Sequence, residues 1–165
     1  MKANARRELI ALYKMLIEHW NDQEAKGMAS LYTARGGQVG FDGSQITGAK
    51  NIEKHLSPIF RDHPTHRFVF KILQIRNLGE KIGIVQAIAG MVPRNGMIID
   101  ASKNTVQTML AHKVRERWKV ELFQNTPARL DGRPKAVAAM TKQLQGLVKK
   151  QLNAPKRKRK VKVKV

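Results

Sequence analysis

The sequence predicts an α+β domain in which N-terminal helices pack on one side of a strongly curved antiparallel sheet. Three observations carry this. Leu9, Leu12, Leu16, Ile17 and Trp20 recur at helical spacing. After His63-Pro64 the hydrophobic period changes from 3.6 to 2. The second extended segment holds Gly83, Ala87, Ala89 and Gly90, small residues that suit a bent sheet or a close backbone approach. Helices first and strands afterwards is the order of an α+β fold, and a bent sheet backed by helices encloses a conical cavity.

The elements follow in order. The first amphipathic helix spans about residues 3–21. A second, over 22–32, has Asp22 as its N-cap, turns Met28, Leu31 and Tyr32 inward, and is ended by Gly36-Gly37. Residues 38–41 read as a short strand closed by the turn pair Asp42-Gly43. Thr47 caps a third helix with Ile52, Leu56, Ile59 and Phe60 inward; Pro58 removes a backbone donor and predicts a kink or break near Ser57. Extended segments follow at 66–77, 81–92, 103–114 and 118–124. Short connections at 78–80 and 115–117 predict hairpins, and 93–101 forms a longer loop turning at Asn95-Gly96. In the last segment Trp118, Val120, Leu122 and Gln124 share the inward face. Pro134 opens a final helix whose apolar stripe is Val137, Met140, Leu144, Leu147 and Val148.

A chain of 165 residues fits one domain, read as 1–152, with a polybasic tail at 153–165. The net charge is +20, unevenly placed. Residues 149–165 hold nine Lys and Arg and no acid, while the other 148 hold 23 basic and 12 acidic residues. The absence of cysteine excludes disulfides, thiolate metal sites and cysteine nucleophiles. The five histidines show no HxH or HExxH spacing, so no metal site is expected. No apolar run approaches the ~20 residues of a membrane span. Lys14, followed by Glu18, His19 and Trp20, argues against a signal peptide, which makes a cytoplasmic location the default.

Residues over roughly 9–147, nearly the whole folded part, resemble the SnoaL-like proteins of the nuclear transport factor two superfamily, and more narrowly its SgcJ/EcaC-type group. They are Gly40-Phe41-Asp42-Gly43-Ser44, Gly48, Ile52, Leu56, Ile59-Phe60, Asp62-His63 and Thr65, then Arg76, Leu78, 89–93, Asn104, Gln107 and Trp118, and finally 123–128 and Gly132-Arg133-Pro134. The resemblance implies a cone-shaped, cystatin-like α+β barrel, usually homodimeric, with a pocket inside the cone. It implies no single reaction: such proteins include cyclases, isomerases, dehydratases and non-catalytic assembly domains. The narrower group is often labelled oxidoreductase, yet neither a GxGxxG nor a Walker A sequence is present, and no cofactor is expected. The chain also departs from the pattern. The acidic pair common after the second helix stands here as Thr33-Ala34-Arg35-Gly36-Gly37, the Asn-Pro of a later loop as Asp100-Ala101, and a His before Gly-Arg-Pro as Asp131.

Two functions follow as expectations. One is binding of a small apolar metabolite, with cofactor-independent acid/base chemistry of cyclase, isomerase or hydratase type. The other is a non-catalytic homodimeric binding or assembly domain. For the first, Asp42 and His63 are the candidate acid/base groups, Asp42 with a pKa raised by partial desolvation. Each has a plainer role: Asp42 in an Asx turn, His63 bonding local backbone. Trp20, Phe41, Phe60, Met91, Asn104, Gln124 and Asn125 are the candidate pocket wall, with Gln107 a further amide on the late strands. Arg129 and Arg133 flank Asp131 as an anion contact or as solvated surface charge.

Lys156, Arg157, Lys158, Arg159 and Lys160 are candidate contacts to a polyanion, either nucleic acid or an anionic surface. No aromatic residue interleaves them for base stacking. Binding through this segment is expected to fall steeply with salt and to vanish on truncation after Asn153. An oligonucleotide titration across salt concentrations checks it, and salt-insensitive binding rejects it.

Overall fold

The computed structural model describes residues 3–153; the basic tail, with Lys156 to Lys160, lies outside the described residues. Helix α1, Ala3–Asn21, buries Leu9, Leu12, Tyr13, Leu16 and Ile17 along one stripe. A short α2, Ala25–Ala29, follows. The chain then forms β1 (Tyr32–Val39), β2 (Gln45–Thr47) and α3 (Ala49–Asp62). Four long strands come next: β3 (Arg67–Asn77), β4 (Ile82–Val92), β5 (Asp100–Val114) and β6 (Arg117–Pro127). Helices α4 (Pro134–Gln145) and α5 (Val148–Leu152) close the fold. No helix among the described residues is long and apolar enough to cross a membrane.

The six strands form one curved, unclosed sheet in the order β2-β1-β6-β5-β4-β3. The long strands pair antiparallel as expected, and the turn between β5 and β6 holds Arg115 and Glu116 at φ 46 and 62. Two positive φ values in succession match the twist of a tight hairpin. Strand β1 joins β6 in parallel, so the sheet is mixed rather than wholly antiparallel.

The region around β1 departs most from the sequence reading. Helix α2 has five residues, its N-cap is Glu24 rather than Asp22, and Tyr32 already belongs to a strand. Gly36 and Gly37 lie inside that strand instead of ending a helix. A Cβ on Gly36 would stand 2.7 Å from the Val120 carbonyl oxygen, so this residue is glycine because β6 backbone lies against it. Thr47 is in β2, and Gly48 caps α3. Helix α3 runs unbroken past Pro58. The carbonyl that Pro58 leaves without a helical donor is that of Lys54, an exposed residue whose backbone water can reach.

Helices cover both faces of the sheet. The main core lies under α1 to α3 and includes Phe68, Val85, Ala87, Ala89, Met109 and Val120. A smaller core on the other face joins Val69, Val92 and Ile99 to Leu144 and Val148 of α4 and α5. The expected one-sided packing therefore holds only for the first three helices. The single final helix of the sequence reading is two, separated at Gly146-Leu147. On β3, an outer strand, two side-chain amides bond the backbone. Asn21 exchanges two bonds with Phe68, at 2.7 and 2.9 Å, and Gln151 exchanges two with Phe70, at 2.9 and 2.7 Å.

Gly36→Ala is expected to destabilise the protein by about 1–3 kcal/mol, because neither backbone can retreat from the new methyl. Gly37→Ala, whose Cβ would meet nothing nearer than Leu122 at 3.5 Å, is expected to be close to neutral. Urea unfolding of the two variants checks the contrast.

Candidate functional site

Between α1 and the inner face of the sheet lies a partly enclosed cavity of about 60 Å³. Leu16, Ile17 and Trp20 of α1 form one wall, and Phe68, Met91 and Phe123 of the sheet another. Gln38, Gly40 and Phe41 bound the β1 end. The lining is apolar except for two amides, Gln38 and Asn125. No carboxyl or imidazole group lines it.

The register of β6 decides which residues reach this cavity. Ala111 pairs with Val120, but Leu110 pairs with Leu122, so Glu121 is an extra residue and the strand is bulged there. A one-residue surplus reverses the facing of everything beyond it. Trp118 and Val120 point inward before the bulge; Phe123 and Asn125 do so after it. Gln124, expected inward by continuous alternation from Trp118, is instead exposed on the outer face, where it bonds Thr126 weakly at 3.4 Å.

Two tyrosines set the direction of the amides. The Tyr13 hydroxyl donates to Gln107 Oε1 at 2.5 Å, and Gln107 Nε2 then donates to Asn125 Oδ1 at 3.1 Å. The Thr105 hydroxyl donates to the same Asn125 oxygen. With Oδ1 engaged twice, the part of Asn125 without a protein partner is its NH2 group. Likewise the Tyr32 hydroxyl donates to Gln38 Oε1 at 2.9 Å, leaving the Gln38 NH2. Burial pushes the pKa of both phenols above the ordinary tyrosine value, so both remain protonated donors. The result is an apolar cavity offering two neutral N–H donors.

The other sequence candidates fall at varied places. Trp20, Phe41, Met91 and Asn125 line the cavity. Trp20 is held by a 2.9 Å bond from its indole nitrogen to the His66 carbonyl, and Phe60 stacks edge-on against it at 5.2 Å without lining the cavity. Asn104 is buried but turned toward α4, where its amide donates to Thr141 at 2.7 Å. Asp42 is exposed in an Asx turn, accepting from the Ser44 N–H at 3.0 Å and the Ser44 hydroxyl at 2.8 Å. Those bonds lower its pKa, opposite to the rise expected of a desolvated acid. His63 caps the end of α3 in an exposed position, and its carbonyl accepts from Gln23 at 2.8 Å. Neither Asp42 nor His63 lines the cavity. Arg129 pairs with Asp131 at 3.2 Å on the surface, and Arg133 is exposed.

Several site features escaped the sequence reading. Gln38 sits in the segment read as a strand, and its alternation with Gly40 was the available signal. The polar roles of Tyr13 and Tyr32 depend on partners 94 and 6 residues away, with no local signature for either. His19 and Glu24 form a 2.5 Å pair in a shallow surface depression at the α1–α2 junction. Among the described residues no three His, Asp or Glu side chains converge as a metal site.

No protein-family model and no curated protein matches this chain. Solved structures do. A domain of unknown function with a cystatin-like fold from Nostoc punctiforme superimposes with a TM-score of 0.74 at 17% identity, covering 93% of this chain and 100% of that one. An NTF2-like protein of unknown function from Shewanella oneidensis gives 0.61 at 16% identity, covering 74% and 98%. A ketosteroid isomerase-like protein from Erwinia carotovora gives 0.59 at 11% identity, covering 74% and 95%. The chain therefore has the cystatin-like, NTF2-like α+β fold.

Proposed function

We propose that this protein binds a small apolar ligand through one hydrogen-bond acceptor, as a SnoaL-like domain of the SgcJ/EcaC type that transfers no proton in the cavity. The observation carrying this is the pair of amide NH2 groups, Gln38 and Asn125, in an otherwise apolar cavity without an acid or base. An uncharged donor pair matches a neutral carbonyl oxygen, since an ionised group would lose its hydration without gaining a counter-charge. At about 60 Å³ the space takes a group of a few heavy atoms, well short of the ~300–1,000 Å³ of ordinary ligand pockets. The fitting ligand is a short ketone, aldehyde or ester, or the carbonyl end of a longer apolar molecule. The likeness in fold to a ketosteroid isomerase-like protein supports a small-molecule role without supplying a reaction.

Titration with short-chain ketones and hydrocarbons of equal size tests this by NMR shift perturbation. The ketone is expected to bind about tenfold more tightly, the worth of one good hydrogen bond. Tyr32→Phe combined with Gln38→Met removes one of the two donors without leaving an orphaned hydroxyl, and is expected to reduce that preference. Equal binding of ketone and hydrocarbon, or a preference that the double variant leaves unchanged, rejects the reading.

A homodimer is the second part of the proposal. The outer face of the sheet carries Val106, 41% exposed, with half-buried Ile84, Leu110 and Leu122. An apolar sheet face of this kind suits a second copy of the chain. Val106→Arg is expected to shift the protein from dimer to monomer in light scattering coupled to size exclusion. A native chain that runs as a monomer at high concentration rejects the dimer.

A further inference from the structure

The start of β3 and the loop after β4 bring two arginines together. Arg67 stands opposite Val92 in the β3–β4 ladder, and Arg94 follows Val92 by two residues. Each guanidinium is anchored by one backbone carbonyl. Arg94 Nη1 donates to Asn21 at 3.0 Å, and Arg67 Nη2 donates to Gly96 at 2.9 Å. These bonds leave Arg94 Nε, Arg94 Nη2 and Arg67 Nε shut off from water and without an acceptor.

The unpartnered nitrogens have a specific arrangement. Nε and Nη2 form the side-on edge of a guanidinium, which grips a carboxylate or phosphate through two parallel bonds. Arg61 uses that edge on Asp62, with both bonds at 2.8 Å. In Arg94 the same edge is buried and unfilled. Burial and then the nearby Arg67 charge lower the pKa of Arg94, while Asp22 acts in the other direction. Asp22 makes no hydrogen bond to either nitrogen of the edge. Among the described residues Arg94 therefore feels one like charge and one carboxylate, and charged donors left unfilled are costly to bury.

We propose that Arg67 and Arg94 form an anion site, in which a carboxylate or phosphate group of a small molecule docks on the Nε–Nη2 edge of Arg94 with Arg67 Nε as a third donor. This site is independent of the Gln38–Asn125 donors. Its ligand clamps three segments: the end of α1 through Asn21, the start of β3, and the β4–β5 loop. The β4–β5 loop beside the pair is exposed at Asn95 and Ile98.

Thermal unfolding of the full chain in phosphate, acetate and chloride at matched ionic strength tests the site. Phosphate or acetate is expected to raise Tm above its value in chloride, saturably with concentration. A rise in phosphate alone identifies a phosphate ligand; a rise in acetate alone identifies a carboxylate. Arg94→Gln is expected to abolish the difference, which separates this site from unspecific binding to the tail. Arg94→Lys keeps the charge but loses the fork, and is expected to weaken the apparent affinity about tenfold. Asp22→Asn removes the competing carboxylate, is expected to tighten binding, and decides the matter if Arg94→Gln does not fold. No difference from chloride in the native chain, or a difference that survives Arg94→Gln, overturns the proposal. So does an Asp22→Asn variant that loses stability and gains no anion response, because Asp22 would then be filling the edge itself.

Discussion

Glu121 is one residue more than the β5–β6 ladder can pair, and much of the interior follows from where that surplus is placed. Before it, Trp118 and Val120 face the helices. After it, the inward positions are Phe123 and Asn125, which give the cavity one apolar wall and one of its two polar groups. The bulge lies where β1 joins β6: Tyr32 pairs with Val120 and Gly37 with Leu122, on either side of Glu121. The parallel strand and the inward face of the last strand are thus adjusted at the same place.

The polarity of the interior rests on phenols that burial keeps protonated. A hydroxyl that must donate fixes the amide beside it as an acceptor, and that amide passes its donor face onward. Along Tyr13, Gln107 and Asn125 the direction is carried from the side of α1 to the cavity wall. Such a chain has little tolerance for partial loss, since each buried member left without its partner carries a desolvation cost of about 1–3 kcal/mol. The cavity's hydrogen-bonding character thus belongs to the core of the domain as much as to the cavity.

The long elements were legible in the sequence because their signals are local. Helix α1 and the four long strands announce themselves by period, and the small residues of β4 by composition. Of strand β1 only Gln38 and Val39 were legible. Its burial does not alternate evenly through Ala34 and Arg35, its glycines imitate a helix stop, and its pairing with β6 joins residues far apart in the chain. Strand β2 has three residues, too few for a pattern. In the site, Trp20, Phe41, Met91 and Asn125 were readable as wall residues. Gln124 was misplaced because alternation cannot reveal a bulge. Asp42 and His63 drew attention as titratable groups in loops, yet their bonds are the ordinary bonds of a turn and a helix end.

An open sheet keeps two margins where a foreign strand could add itself, and both have to be managed. On one margin stands β2, too short to template much pairing. On the other, β3 meets the amides of Asn21 and Gln151, each exchanging a donor and an acceptor with the backbone of Phe68 or Phe70 as a neighbouring strand would. These two side chains act as a fragment of a seventh strand that is never built. Their consequence concerns the association of whole molecules: they occupy the edge positions at Phe68 and Phe70 with which an added strand from another copy would have to pair.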